Sequence, residues 1–179
     1  MKTSMLAAVA GSLVALCAVP AAAQSISQPS LYGNLGYAFV DGGSDANFGA
    51  IAGRLGARVH PYFGVEAEAA FGVDGDRTTV GATTVKTKLK HSFAGYGVGF
   101  LPVAPNVDLL ARVGYGTSKV GAKSGAISVS DSEESWNYGV GAQYAFDGVN
   151  GIRGDYTRHD FNNGGGKADV WAVSYVRKF

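Results

Sequence analysis

From residue 24 onward the chain alternates apolar with small or polar residues at a period of two, and no stretch keeps the period of a helix. Period two is the geometry of a strand, whose successive side chains point to opposite faces. One segment sets Phe63, Val65, Ala67, Ala69, Phe71 and Val73 between Gly64, Glu66, Glu68, Ala70 and Gly72. Another sets Trp136, Tyr138, Val140, Ala142, Tyr144 and Phe146 between Asn137, Gly139, Gly141, Gln143 and Ala145. Within 105–118, Val107, Leu109, Ala111, Val113 and Tyr115 alternate with Asp108, Leu110, Arg112, Gly114 and Gly116. Leu31, Leu35, Tyr37 and Phe39 oppose Asn34, Gly36 and Ala38. Weaker alternation covers 48–59, 86–101, 152–157 and 171–179, which makes eight segments.

Composition agrees. Glycine supplies 27 of 179 residues without the three-residue period of collagen, and each interior glycine costs a helix about 1 kcal/mol. At 46% hydrophobic, the chain can form a packed fold. At this length one domain is expected.

The first residues read differently. Lys2 precedes an apolar run from Leu6 to Val19, then Pro20 and Ala21-Ala22-Ala23. A positive start, a short apolar core and small residues at the cleavage positions predict a signal peptide over 1–23, cut after Ala23. The run is too short and too poorly flanked for a membrane anchor. Cys17 follows Leu16, where a lipoprotein signal has a small residue. Cleavage leaves a domain over 24–179 with balanced basic and acidic residues and no cysteine. No disulfide can then brace it, and neutral net charge argues against a nucleic-acid partner.

The connections alternate in length. Short ones lie at His60-Pro61, Pro102–Asn106 and Asp147–Asn150, and longer ones near 41–47, 74–85, 118–134 and 160–168. In an antiparallel meander this gathers the short turns at one end and the long loops at the other, as in transmembrane barrels. A soluble sandwich or a lipocalin-like barrel also alternates, with its apolar face inward. Three features favour the membrane orientation. Aromatics such as Tyr37, Phe39, Phe71, Tyr96, Phe100, Tyr115, Trp136, Tyr144, Trp171 and Tyr175 gather near strand ends on the apolar face, suiting interfacial girdles. The other face is mostly glycine, including Gly95, Gly97, Gly99, Gly114, Gly116, Gly139 and Gly141, and suits a narrow lumen. The chain ends inside a strand, on Phe179. The fold expected is all-β: an eight-stranded antiparallel up-and-down transmembrane β-barrel.

Leu31-Tyr32-Gly33-Asn34-Leu35-Gly36-Tyr37, Ala111-Arg112-Val113-Gly114-Tyr115-Gly116, Tyr138-Gly139-Val140-Gly141-Ala142-Gln143-Tyr144 and the run Gly151 to Phe161 occur in that order, before the terminal strand. With these pieces the mature chain resembles the small outer-membrane β-barrels of the OmpA-like and opacity-protein type. The resemblance implies localisation in the cell outer membrane, contact with its lipid and lipopolysaccharide, and a monomeric state. It also implies that the terminal strand, with Tyr175 and Phe179, is the signal read by the barrel-insertion machinery. Arg177 departs from that pattern, which usually has an aromatic there, and its long side chain can snorkel to the interface.

On the lumen phase lie Arg54, Arg58, Glu66, Glu68, Arg112, Arg153 and Asp155. Charges in a confined interior must be paired or hydrated. Arg54 and Arg58 are expected to meet Glu66 and Glu68 across the first short turn, with Arg112 and Arg153 reaching across the lumen. This set predicts a polar plug; a charged constriction for small solutes is the alternative. Lys86, Lys88 and Lys90 fall on the phase of Tyr96 and Phe100, so this segment either rises clear of the membrane or contains a bulge. Their stripe is a candidate contact for lipopolysaccharide phosphates.

Other motifs give way to simpler readings. Gly164-Gly165-Gly166-Lys167 lacks the spacing and the strand-to-helix context of a phosphate loop. His60, His91 and His159 lack metal-ligand spacing, and Asp74-Gly75-Asp76 suits a turn, so no metal or cofactor is expected. His159 has no serine two residues later, so the lipid-deacylase arrangement lacks its nucleophile and no enzyme is expected. The functional expectation is a structural or surface-contact barrel with its lumen closed. The alternatives are a narrow porin-like channel and a soluble periplasmic ligand-binding barrel.

Overall fold

The computed structural model describes residues 29–43, 47–73, 76–80, 83–124, 127–164 and 166–179, so the expected signal segment lies outside the described residues. The strands are β1 Ser30–Asp41, β2 Asn47–His60, β3 Phe63–Gly72, β4 Asp76–Val80, β5 Thr83–Ala104, β6 Val107–Ser124, β7 Ile127–Ala145, β8 Asn150–Phe161 and β9 Lys167–Lys178. Sequential neighbours pair antiparallel, β3 pairs with β5, and β1 pairs with β9, which closes the sheet on itself. Short β4 continues β3 outward along β5: Ala70 faces Ser92 and Asp76 faces Thr87. The wall is therefore the expected closed barrel of eight antiparallel strands.

Closing so few strands demands tilt and stagger. A row of paired residues leaves the outer end of β1 at Phe39 and runs through Trp171, Tyr156, Val140, Ala111 and Gly99. It continues through Phe63 to His60, beyond Arg58, the partner of Ser30 at the start of β1. One circuit descends from one rim to the other. Residues far apart in sequence and on opposite walls thus share one level of a narrow lumen.

The faces divide as the alternation predicts on seven wall strands. Leu35, Leu55, Phe71, Val113, Trp136, Val140, Trp171 and Val173 are exposed on the outside. Aromatic pairs mark both rims: Phe71–Phe93, Tyr115–Trp136 and Tyr156–Trp171 near the long connections, and Tyr144–Phe146 near a short one.

β5 reverses the expectation. Tyr96, Val98 and Phe100 are buried in the lumen, so Tyr96 and Phe100 do not belong to the girdles. Gly95, Gly97 and Gly99 point outward, where an added Cβ meets nothing closer than 3.7 Å. The lumen glycines are of another kind: a Cβ on Gly114 would stand 2.1 Å from the Gly95 carbonyl oxygen and 2.6 Å from the Tyr96 ring. Gly114 and Gly116 make room for Tyr96 and Ala94 of β5, and Gly139 and Gly141 for Thr157 and Asp155 of β8. Higher on β5, Leu89 faces Val120 while His91 faces Lys119, so Lys90 is an extra, bulged residue. An extra residue exchanges the two faces. Below it Ser92 is buried, and above it Leu89 is buried. The bulge anticipated between Lys86 and Phe93 is present.

Two of the long connections are mostly strand. β5, β6 and β7 have 22, 18 and 19 residues, whereas about 9–11 tilted residues cross a bilayer. Their outer halves, with β4, stand above the rim as an extended sheet, not as the open loops expected over 74–85 and 118–134. Runs such as Thr78-Thr79-Val80 and Thr83-Thr84-Val85 carry the β-branched residues that favour this. The short turns are Pro61-Tyr62, Pro105-Asn106 and the bend at 146–149. In the last, the Asp147 carboxylate accepts from the Asn150 and Val149 backbone N–H groups at 2.6 and 3.0 Å, which holds its pKa below the ordinary value. At the chain end, Phe179 N–H donates to the Leu31 carbonyl at 2.9 Å and the Tyr175 hydroxyl bonds Asn150, tying β9 to both neighbours. Arg177 stands exposed between them.

Candidate functional site

Six charged side chains meet midway along the lumen. β2 brings Arg54, β3 Glu66 and Glu68, β6 Arg112, and β8 Arg153 and Asp155. Arg54 donates to Glu68 at 2.5 Å and to Asp155 at 2.9 Å. Arg112 donates to Glu68 at 3.1 and 3.2 Å and lies 3.5 Å from Asp155 and 3.7 Å from Glu66. Arg153, fully buried, donates to Glu66 and lies 3.5 Å from Asp155. Three guanidinium groups thus alternate with three carboxylates, and each faces at least two of opposite sign. Burial of this kind is tolerable because the charges balance and hydrogen bonds take up most of the donors and acceptors; Arg153 Nε and Asp155 Oδ1 have ionic contacts at 3.5 Å and no hydrogen bond.

Neutral partners complete the set. Tyr32 donates to Glu66 at 2.8 Å, Tyr96 to Glu68 at 3.3 Å, and Arg112 to the Thr157 hydroxyl at 3.0 Å. The Arg112 guanidinium stacks 4.2 Å over the Tyr96 ring, and Asn137 donates to the Tyr96 hydroxyl at 3.2 Å. Sequence reading did not select these four residues. Tyr32 shares the lumen phase of Asn34 and was recognisable by parity, whereas Tyr96 was concealed by the reversed phase of β5.

Arg58 does not join them. It sits at the inner mouth, donating to Asp108 at 3.0 Å and to the Pro61 carbonyl, with its guanidinium 4.4 Å over Phe100. The turn that brings Arg54 opposite Glu68 leaves Arg58 opposite Gly64, which has no side chain to offer.

Apolar clusters lie on both sides of the charges. Tyr32, Tyr96, Val98, Phe100, Leu110 and Val176 pack together toward the short turns. Ala38, Ala50, Ala52, Ala70, Leu89, Val170 and Ala172 pack toward the outer rim. Among the described residues, no group of three or more His, Cys, Asp and Glu is placed to hold a metal ion. His159 is buried beside Asn137, outward of the charges.

Residues 8–179 match the outer membrane protein beta-barrel domain. The chain belongs to that family. Solved barrels of the same fold include Ail, the attachment invasion locus protein of Yersinia pestis, crystallised with the heparin analogue sucrose octasulfate. It is 21% identical, with a TM-score of 0.63 over 86% of this chain and all of that one. Neisserial surface protein A aligns with a TM-score of 0.64 at 10% identity, over 87% of this chain and all of that one. The N-terminal barrel domain of Pseudomonas aeruginosa OprF aligns with a TM-score of 0.64 at 8% identity, with the same coverage. No curated protein sequence matches the chain. As a family member it is an outer-membrane β-barrel, so the aromatic-rimmed outer wall faces lipid and the extended sheet stands outside the cell.

Basic residues recur along the strands of that sheet. Register places Arg77, Lys86 and Lys123 in one cross-strand row and pairs Lys88 with Gly121 and His91 with Lys119, beside bulged Lys90. On the neighbouring strands, just above the girdle, Arg158 grips Asp169 at 2.7 and 2.8 Å, and the Tyr156 hydroxyl donates to the same carboxylate at 2.6 Å.

Proposed function

We propose that this protein is a non-enzymatic outer-membrane barrel with a closed lumen, acting through its outer face on anionic glycolipid. The observation that carries the closed lumen is its layering, with a charge-balanced ionic cluster held between two apolar clusters. An ion passing through would shed its water at each apolar layer and compete with bonds already made in the middle. A porin-like channel needs a polar path past all three layers. In planar bilayers the refolded protein is expected to give no conductance steps above the lipid baseline. A reproducible step would overturn the closed lumen.

The basic rows support the surface role. Like charges directly opposite one another repel across strands, so a row of Arg77, Lys86 and Lys123 gains from an anionic partner. Lipopolysaccharide carries phosphates that lysines can pair with, and Lys86, Lys88 and Lys90 are the proposed contacts. The occurrence of a heparin analogue on Ail, a barrel of the same fold, supports an anionic saccharide as partner. Each cation near an anionic surface contributes about 1 kcal/mol. A variant with all three lysines changed to glutamine is therefore expected to bind lipopolysaccharide at least about tenfold more weakly at low salt. Unchanged binding would remove these lysines from the site. Tyr175 and Phe179 are proposed to present the terminal strand to the barrel-insertion machinery, and the barrel to act as a monomer.

A further inference from the structure

Gly154 lies in the middle of β8 with ordinary extended backbone, yet an added Cβ there would meet no atom within 4 Å. Nothing inside the protein requires glycine at this place. Its contrast is Gly139, one strand away, where a Cβ would stand 2.2 Å from the Tyr156 carbonyl oxygen. Glycine in a strand interior weakens the strand, and it commonly marks a place where something outside approaches the backbone closely.

The bare backbone at Gly154 is the floor of a groove of about 610 Å³ on the outer wall. Tyr37, Phe39, Trp171 and Val173 stand on one side and Val140 on the other, with Tyr156 toward the outer rim. Paired with Gly154 are Ala142 and Val173, so the floor stays low on the β7 side. The groove opens only onto the lipid-facing surface and runs from mid-membrane to the outer girdle. Its lining is apolar and aromatic, and water is absent at that depth.

We propose that this groove is a binding slot for one acyl chain of an outer-leaflet lipid, seated on Gly154 between Val140 and the Trp171 ring. Continuity with the lipid-facing wall identifies the occupant, since hydrocarbon is the only solvent the groove meets. The slot is independent of the basic rows on the outer sheet and of the closed lumen.

The test uses the whole barrel reconstituted in vesicles of a zwitterionic phosphatidylethanolamine, a probe that carries acyl chains and no net charge for the lysines to bind. After extraction in mild detergent, native mass spectrometry is expected to show one retained phospholipid on the wild type. Gly97→Leu, which alters the smaller outer-wall depression beside Phe63, is expected to retain it. Gly154→Leu is expected to lose it, and Gly154→Ala to retain it in part, with folding of each variant read by heat-modifiable gel migration. Location is read separately with a brominated acyl chain. The retained lipid should quench Trp171 in a Trp136→Phe background and leave Trp136 bright in a Trp171→Phe background. No retained lipid on the wild type, equal retention by Gly154→Leu, or equal quenching of both tryptophans would overturn the proposal. A dimer mass lost in Gly154→Leu would do the same, by giving the groove to a second copy.

Discussion

Glu66→Gln is expected to lower the unfolding free energy by about 3 kcal/mol, because it takes from a fully buried Arg153 the carboxylate it hydrogen-bonds and leaves it only Asp155, 3.5 Å away. Urea titration of the barrel in vesicles, followed by tryptophan fluorescence, measures the loss. Glu68→Gln should cost a similar amount, since it removes the carboxylate shared by Arg54 and Arg112. The double variant should cost more than the two together, because it leaves Arg54, Arg112 and Arg153 facing the single carboxylate of Asp155. Asp108→Asn is the control. Its pair with Arg58 is partly exposed at the inner mouth, so solvent screens it and the expected loss is at most about 1 kcal/mol. Replacing the Glu66–Arg153 pair with Leu and Met should recover much of the lost stability, as apolar side chains carry no desolvation cost. Equal stability of wild type and Glu66→Gln would show that the ion pairs do not hold the barrel together.

Gly114→Ala and Gly95→Ala are expected to act in opposite directions, although the two glycines are near neighbours across β5 and β6. At Gly114 the new methyl would collide with the Gly95 carbonyl and with the Tyr96 ring that supports Arg112. Neither the backbone nor a ring stacked in the lumen can move away freely, so an overpacking cost of about 1–3 kcal/mol is expected. At Gly95 the methyl enters open space on the lipid side, and the more restricted unfolded chain should leave stability unchanged or raise it by about 0.5–1 kcal/mol. The same titration compares them. Two equal losses would contradict the assignment of Gly95 to the outer wall and Gly114 to the lumen.

Much of the candidate site was legible from parity. Arg54, Glu66, Glu68, Arg112, Arg153 and Asp155 share the phase of small residues on strands whose other phase is plainly lipid-facing, so they had to share an interior. Which cation meets which carboxylate was not legible. Arg58 has the same parity as Arg54 and lies on the same strand, but it is opposite Gly64 and turns to Asp108 instead. The stagger of the whole barrel decides that pairing. The extended sheet was partly legible, in the Thr and Val runs of 78–87.

Alternation along a single strand tells that two faces differ; it does not tell which face looks inward. On seven wall strands the sequence by itself determined the answer, because one phase was aromatic or aliphatic and the other small or charged. From those strands it determined an even, antiparallel, membrane-facing barrel. On β5 both phases were compatible with either side, glycine on one and Tyr96, Val98 and Phe100 on the other. Only the tertiary structure decided it. Gly114 and Gly116 on β6 leave a space in the lumen that Tyr96 and Ala94 of β5 fill, and the extra residue at Lys90 shifts the register of the strand beyond it. The physical reason is that packing volume in a closed barrel is a property of facing walls, and no local pattern records it.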